Sequence, residues 1–249
     1  MRIYLIGSNG FVASGFKEFF KLKNYKFYPI NKNNYNKYKN TSCDILINAA
    51  GNSSTILAKK NFFKSYNKNI NSIIRSLKDF KFNEYVLISS TLIYNDVSSK
   101  RMTKENTIID IDKLDNYGFF KIIAEQIVKR SVNQYLIIRT SGLVGAKLKK
   151  NVVYDILNKK KIFDKKNSKF NFITTERLAE IVFKLYRKKK CGIFNVTSNK
   201  NIKVQNINNI FIKKKIQYSV APKKINNIST SKLSKFVNIF SSEKYLQDV

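Results

Sequence analysis

The stretch Ile3-Tyr4-Leu5-Ile6-Gly7-Ser8-Asn9-Gly10-Phe11-Val12-Ala13 decides the fold of this chain. Its apolar start predicts a strand over residues 2–6, and the amphipathic pattern that follows predicts a helix over residues 11–22. Glycines at Gly7 and Gly10 let the backbone approach a ligand closely, and the helix N-terminus offers the free N–H groups of Phe11 and Val12. A plain tight turn would also explain such a string, but its place between strand and helix favours a dinucleotide pyrophosphate site.

Short apolar runs alternate with helical patterns along the rest of the chain, which predicts an α/β protein with a parallel sheet and crossover helices. The further strands are expected at residues 26–30, 44–48, 84–89, 134–139 and 193–196, with an extended segment at 169–173. The further helices are expected in the second part of 56–80 and at residues 117–130, 175–186 and 204–213.

The composition excludes several kinds of active site. The chain has no histidine, which removes Ser-His and Cys-His nucleophiles and most transition-metal centres. Cys43 and Cys191 are its two cysteines and lack metal-ligand spacing, so we predict neither a metal site nor a disulfide. Proton transfer must therefore fall to Tyr, Lys or carboxylates.

The charge is strongly positive, with 48 Lys and Arg residues against 16 Asp and Glu residues and a formal net charge of +32. Such a charge is typical of nucleic-acid or anionic-membrane partners. Here it is spread along a chain that is also rich in Asn and Ile, as a strongly AT-biased coding sequence would produce. We favour a solvated surface over a nucleic-acid partner, because no recognised binding motif accompanies the charge.

A candidate proton-transfer unit stands at Tyr117-Gly118-Phe119-Phe120-Lys121. A Tyr and a Lys four residues apart on a helix share one face. Ser90 ends an apolar run and would lie at the carboxyl edge of a parallel sheet, where ligands bind. An ordinary amphipathic helix is the alternative explanation of the Tyr-Lys spacing, since this chain is rich in both residues.

Together these motifs resemble the extended short-chain dehydrogenases/reductases of the NAD-dependent epimerase/dehydratase family, nearest to the dTDP-4-dehydrorhamnose reductase branch. The resemblance covers nearly the whole chain. Besides the two motifs above it rests on Asn48-Ala49-Ala50-Gly51, Asn69, Ser89-Ser90-Thr91-Leu92-Ile93-Tyr94, Ala124-Glu125, Ile138-Arg139-Thr140-Ser141-Gly142, Phe172-Ile173-Thr174-Thr175-Glu176-Arg177-Leu178-Ala179 and Gly192-Ile193-Phe194-Asn195-Val196.

The resemblance implies a Rossmann-type doubly wound parallel sheet with a small C-terminal substrate-binding region. We assign residues 1–165 to the NAD(P)-binding core and residues 166–249 to a mixed α/β substrate-binding region with late core elements interleaved. No apolar run approaches the roughly 20 residues that span a bilayer. We therefore expect a cytoplasmic protein without membrane association, and a homodimer through paired helices stays open.

The resemblance also implies the catalytic roles. Tyr117 would exchange a proton with the substrate oxygen, and Lys121 would lower the pKa of Tyr117 from its usual value of about 10 and hold the nicotinamide ribose. Ser90 would orient the same substrate oxygen, with Thr91 beside it in the substrate site. The expected cofactor-binding residues are Gly7, Gly10, Phe11, Val12, Asn31, Lys32, Ala49, Ala50, Gly51, Asn69, Tyr117, Lys121 and Thr140.

Single positions in the sequence favour one cofactor over the other and disfavour one class of reaction. Asn31 and Lys32 end the second strand without a carboxylate, so NADP(H) is favoured over NAD(H), although Lys32 could also face solvent. Thr91-Leu92 replaces the Asp-Glu pair of the family's dehydratases, which leaves reduction of a keto nucleotide sugar or epimerisation. We favour reduction of a 4-keto-6-deoxy sugar in surface-polysaccharide biosynthesis. An epimerase and a non-catalytic cofactor-binding protein are the alternatives.

Overall fold

The computed structural model describes residues 1–51, 54–212 and 217–249. Its centre is a sheet of six parallel strands in the order β2-β1-β3-β4-β5-β9. These strands are β1 (Ile3–Ile6), β2 (Phe27–Ile30), β3 (Ser42–Asn48), β4 (Lys81–Ser90), β5 (Tyr135–Thr140) and β9 (Gly192–Val196). Four short strands form two further pairs: β6 (Gly142–Val144) with β8 (Phe172–Thr174), and β7 (Lys169–Phe170) with β10 (Ile202–Lys203).

Helices connect the strands. They are α1 (Phe11–Leu22), α2 (Tyr35–Tyr38), α3 (Thr55–Lys60), α4 (Phe62–Tyr66), α5 (Ser72–Asp79), α6 (Asn116–Ser131), α7 (Val152–Leu157), α8 (Thr175–Arg187), α9 (Val204–Phe211) and α10 (Ser242–Gln247). A π-helical turn, Asn67–Asn71, joins α4 to α5, and 3₁₀ turns lie at Thr91–Ile93, Ile111–Lys113 and Leu233–Lys235.

Alternating side chains of the strands build two apolar layers, one on each face of the sheet. Leu5 and Ile47 face a cluster with α1 and α8, whereas Tyr4 and Leu46 face a cluster with α5 and α6. Strands that are buried on both faces read as continuous apolar runs, as β1 does. This arrangement confirms the α/β, Rossmann-type doubly wound sheet that the sequence predicts.

The strand order reverses between β1 and β3. From β1 the chain passes to β2 on one side, and then returns to β3 on the other side. Ligands of doubly wound sheets bind at this reversal, outside the carboxyl ends of the strands. The register pairs Ile6 with Asn48 and Ser90 with Thr140, so these carboxyl ends lie at one edge.

A third apolar cluster lies outside the main sheet. It gathers Val144, residues of α7 and α9, Phe172 and Leu246 around the two short strand pairs. The strand β9, by contrast, pairs with β5 at the edge of the main sheet. The division of the chain at residue 165 remains a prediction.

Several element boundaries differ from the sequence-based expectations. β4 begins at Lys81 rather than 84, because its first residues extend the pairing with Ser42 and Cys43 of β3. The helical pattern expected in the second part of residues 56–80 forms the π-helical turn and α5, and the short helices α3 and α4 precede it. The predicted end of the last long helix, Lys213, lies outside the described residues. Among the residues that the structure describes, no helix combines the length and apolar character needed to cross a bilayer.

Gly15 packs α1 against the start of α8, because a Cβ at this position would overlap the backbone of Thr175. Helix propensity alone favours Ala over Gly by about 1 kcal/mol. We expect Gly15→Ala instead to lower the free energy of unfolding by about 1–3 kcal/mol, because the overlap forces the helices apart. Urea denaturation measures this, with exposed Glu18→Ala on the same helix as the control. A stabilised Gly15→Ala variant would show that the two helices do not pack this closely.

Candidate active site

The glycine-rich turn after β1 lies directly against the loop after β3. Gly7 has a φ of 78°, and a Cβ there would lie 2.7 Å from the backbone N of Ala50. Its carbonyl accepts a hydrogen bond from Gly10 N at 2.8 Å. Gly10 precedes α1 without a side-chain cap, and the first turn of α1 holds no acidic residue. The free N–H groups of Phe11 and Val12 therefore form an uncapped, electropositive helix end.

One orphaned polar atom marks the same place. Ser8 is 1 % exposed, and within the described part of the chain its Oγ has no hydrogen-bond partner. Its backbone N donates to the carbonyl of Ile30 at 3.1 Å, which ties the end of β2 to the turn. Buried hydroxyls are normally paired, so an unpaired one beside a glycine turn suits a bound phosphate. The residues present therefore fit a dinucleotide.

Asn48, for which the sequence analysis assigned no role, fixes the loop after β3. Its Oδ1 accepts from Ala50 N at 3.0 Å, and its Nδ2 donates to Tyr85 Oη at 2.8 Å and to Ser76 Oγ at 3.0 Å. The Nδ2 and Oδ1 atoms of this buried side chain are thus both hydrogen-bonded. These bonds hold Ala49 and Ala50 so close to Gly7 that a Cβ at position 7 would overlap their backbone.

Tyr117 and Ser90 meet at the carboxyl edge of the sheet. Tyr117 lies in the first turn of α6, Ser90 is the last residue of β4, and each is 7 % exposed. The Oγ of Ser90 accepts a hydrogen bond from Leu92 N at 3.1 Å. Burial raises the pKa of Tyr117, and hydrogen bonding to Ser90 opposes that rise. At neutral pH Tyr117 is therefore a proton donor.

The position of α6 follows from two contacts at its start. Asp115 caps the helix, since its Oδ1 accepts from Gly118 N at 2.8 Å. A Cβ at Gly118 would lie 2.9 Å from the carbonyl oxygen of Leu92. Because Gly118 has no side chain, the helix lies against the turn after β4, which brings Tyr117 to Ser90.

Lys121 lies one helical turn beyond Tyr117 and is buried. Its Nζ is 5.8 Å from the centre of the Tyr117 ring and donates to the carbonyl of Ile88 at 3.4 Å. Burial lowers the pKa of Lys121 to about 8, and the charge of Glu125 acts against this shift. The ammonium is thus charged at neutral pH. The pKa of Tyr117 is raised because burial has the largest influence on it, and the expected lowering by Lys121 stays a prediction.

Asn69 and Gly51 complete the surroundings of Lys121. A Cβ at Gly51, whose φ is 131°, would lie 3.6 Å from Lys121 Nζ and 3.0 Å from Asn69 Oδ1. Asn69 is buried in the π-helical turn, and its Nδ2 donates to the carbonyl of Ser65 at 2.9 Å. Such π-helical turns frequently occur at functional sites. The structure therefore brings Lys121, Gly51 and Asn69 together.

The remaining expected site residues occupy two places. Asn31 and Lys32 lie at the end of β2 beside the glycine turn; the Oδ1 of Asn31 accepts from Asn33 N at 2.8 Å, and Lys32 is exposed. Thr140 ends β5 next to Ser90, and its buried Oγ1 has no partner among the described residues. Thr91 is 1 % exposed and points away from solvent, whereas Leu92 is 45 % exposed. The expected substrate contact at Thr91 is thus deeply buried.

The model of the NAD-dependent epimerase/dehydratase family matches residues 3–197. This chain belongs to that family. The membership confirms the expected class, an NAD(P)-dependent enzyme of the nucleotide-sugar oxidoreductase and epimerase type. No curated protein matches the chain.

Solved structures share the fold over the full chain. A dTDP-4-dehydrorhamnose reductase ortholog from Clostridium acetobutylicum is 19 % identical, with a TM-score of 0.82 and coverage of 100 % of this chain and 98 % of the other. The Bacillus anthracis dTDP-4-dehydrorhamnose reductase in complex with NADP is also 19 % identical, with a TM-score of 0.79 and coverage of 99 % and 96 %. A UDP-galactose 4-epimerase is 17 % identical, with a TM-score of 0.78 and coverage of 100 % and 98 %.

Burial of the Lys121 ammonium costs stability. Because its pKa falls from 10.5 to about 8 on folding, the cost is fully present below pH 8 and disappears as the pH rises towards 10.5. We expect Lys121→Met to raise the free energy of unfolding at pH 7 by about 1–3 kcal/mol, a gain that shrinks at pH 10. Denaturant melts at both pH values measure it, with exposed Lys129→Met as the control. A variant less stable than the wild type at pH 7 contradicts the prediction.

Proposed function

We propose that the protein reduces a keto nucleotide sugar of the 4-keto-6-deoxy type with NAD(P)H, in the biosynthesis of surface-polysaccharide sugars. One observation carries the proposal: Tyr117 is buried, protonated and beside Ser90, with the charged Lys121 one turn away. A proton donor held next to a cation is what reduction of a carbonyl requires. The names of the similar structures, a reductase and an epimerase of nucleotide sugars, agree with this substrate class.

The first step is binding of the cofactor. The turn from Gly7 to Gly10 and the N-terminus of α1 would hold its pyrophosphate, with the Ser8 hydroxyl as an added donor. Ala49, Ala50 and Gly51 would form the wall of the crevice, and Asn69 with Lys121 its ribose end. When bound, the nicotinamide supplies the hydride.

Proton transfer falls to three side chains. Ser90 Oγ already accepts from Leu92 N, so its own proton is available to the carbonyl oxygen of the substrate. Tyr117 would donate its proton to the same oxygen as the hydride arrives at carbon. The tyrosinate that results is stabilised by the Lys121 ammonium. Thr140, with its buried unpaired hydroxyl, lies where it could contact the nicotinamide end.

The residues after Ser90 set the reaction type. Elimination of water needs an added acid and base, and Thr91-Leu92 provides neither. Reduction and epimerisation differ in whether the oxidised cofactor is released. We favour reduction, since Asn48-Ala49-Ala50 and Arg139-Thr140-Ser141 resemble the reductase branch of the family more than its 4-epimerase branch.

The test is turnover of a dTDP-4-keto-6-deoxy sugar by wild type and Tyr117→Phe. We expect stoichiometric NADPH consumption by the wild type and a loss of about 10²–10⁴-fold in the variant, with cofactor binding retained. The control is Tyr135→Phe, because Tyr135 begins β5 at the end opposite to Thr140 and the candidate site. Turnover without net NADPH consumption would assign an epimerase instead. Thermal stabilisation by NADPH without any turnover would assign a non-catalytic cofactor-binding protein.

We further propose NADP(H) as the preferred cofactor, because the exposed Lys32 stands at the end of β2, where a basic residue accommodates a 2′-phosphate. Lys32→Ala should then weaken NADPH binding about 10-fold, which corresponds to about 1.4 kcal/mol, and leave NADH binding nearly unchanged. Titration calorimetry at fixed salt measures both affinities, with exposed Lys37→Ala as the control. An equal loss for NADH and NADPH would show that Lys32 does not read the 2′-phosphate.

The partners we propose are a nucleotide-sugar substrate and, in a homodimer, a second copy of this chain. Two unpaired cysteines, Cys43 and Cys191, favour a reducing compartment such as the cytoplasm. A nucleic-acid partner would require salt-sensitive binding whose affinity does not change in Tyr117→Phe.

A further inference from the structure

A completely buried ion pair lies behind the candidate site. The guanidinium of Arg139 donates from Nη2 to Glu125 Oε2 at 2.7 Å and from Nε to Oε1 at 3.1 Å. Glu125 is 0 % exposed and Arg139 is 3 % exposed. Buried pairs of this kind add little stability compared with apolar side chains, because both charges lose their hydration. A role other than stability is therefore to be sought for the pair.

Further hydrogen bonds fix the pair in position. Ser89 Oγ, adjacent in sequence to Ser90, donates to Glu125 Oε1. On the far side, Arg139 Nη1 donates to Tyr94 Oη at 3.0 Å, and Tyr94 in turn donates to Asn195 Oδ1 at 2.9 Å. The carboxylate thus receives three donors, two from Arg139 and one from Ser89, which favour its charged form. It cannot take up a proton without losing at least one of them.

Glu125 lies one helical turn beyond Lys121 on α6, so their side chains share a face. Its negative charge raises the pKa of Lys121 against the effect of burial. Apart from the Arg139 guanidinium, which is paired with Glu125, the other groups around the ammonium in the described residues are uncharged at neutral pH. They are the carbonyl of Ile88 from β4, Gly51 from the loop after β3, Asn69 from the π-helical turn, and the ring of Tyr117.

We propose that Glu125 is a positioning residue that keeps the Lys121 ammonium charged at the candidate site, with Arg139 and Ser89 holding its carboxylate in place. Through Lys121 it acts on Tyr117, although it does not touch the reacting atoms. What the charge of Lys121 is used for rests on the proposed function, whereas the electrostatic coupling between Glu125 and Lys121 does not.

The direct test is the titration of the Lys121 ammonium, which needs no substrate. We would follow the lysine side-chain signals of the full chain by ¹³C and ¹⁵N NMR between pH 6 and pH 10, and assign Lys121 with the Lys121→Met variant. We expect Glu125→Gln to lower the midpoint by about one pH unit, because the neutral amide no longer stabilises the ammonium. An unchanged midpoint in a folded Glu125→Gln protein would overturn the proposal.

Two further variants separate electrostatics from structure. Glu125→Gln leaves Arg139 as a buried unpaired cation, which can prevent folding. The double variant Glu125→Gln/Arg139→Gln removes both charges, and it should lower the midpoint by less than Glu125→Gln does, because loss of the Arg139 cation favours the ammonium. Tyr94→Phe is the matched control, since it cuts a hydrogen bond of the same network without changing any charge near Lys121. A shift in Tyr94→Phe as large as that in Glu125→Gln would overturn the proposal.

Activity supplies a separate readout. In an active enzyme, the high-pH decline of kcat should move to lower pH in Glu125→Gln by the same amount as the NMR midpoint. Glu125→Asp keeps the negative charge, so its shift should be smaller than that of Glu125→Gln. A moved NMR midpoint without turnover of any keto nucleotide sugar would support the role of Glu125 and contradict the proposed function, so the two can fail independently.

Discussion

Parallel pairing of β1 with both β2 and β3 is the constraint on which the rest of the structure depends. A parallel connection must cross over a face of the sheet, so chain segments leave β1 in both directions and open a crevice at its carboxyl end. The chain fills the floor of that crevice mainly with backbone. Gly7 and the loop at Ala49 and Ala50 lie so close together that no side chain fits between them. A ligand there would therefore meet backbone N–H groups and the Ser8 hydroxyl.

The same edge of the sheet concentrates buried polar groups at a cost to stability. Ser8, Ser90, Lys121 and Thr140 are all nearly inaccessible, and two of them carry a hydroxyl without a partner in the described residues. Unpaired buried donors cost about 1–3 kcal/mol each. Stability lost here is compensated by the two apolar layers on the faces of the sheet.

Local sequence patterns were sufficient for the elements of the sheet and insufficient for the contacts between them. The helix after Gly10 was predicted at its observed bounds, because apolar spacing and the glycine turn act within one segment. The close packing of Gly15 on Thr175 joins residues far apart in the chain, and nothing near Gly15 in the sequence signals it. The rise of the Tyr117 pKa through burial was not predicted, for a similar reason. The Tyr-Lys spacing indicates a neighbouring charge, whereas the depth of burial depends on how α6 packs on the turn after β4.

The high positive charge bears on the site in a way that composition alone does not suggest. The chain has 48 basic residues against 16 acidic ones. A carboxylate at the surface would reduce the repulsion between lysines there. Glu125 is instead withdrawn completely from solvent and held by Arg139 and Ser89. Desolvation of a carboxylate is expensive, and an apolar pair would fill the same volume at less cost. An apolar pair would reproduce neither the hydrogen bonds to Ser89 and Tyr94 nor a fixed negative charge one helical turn from Lys121, and that charge is the feature on which the proposed role of Glu125 depends.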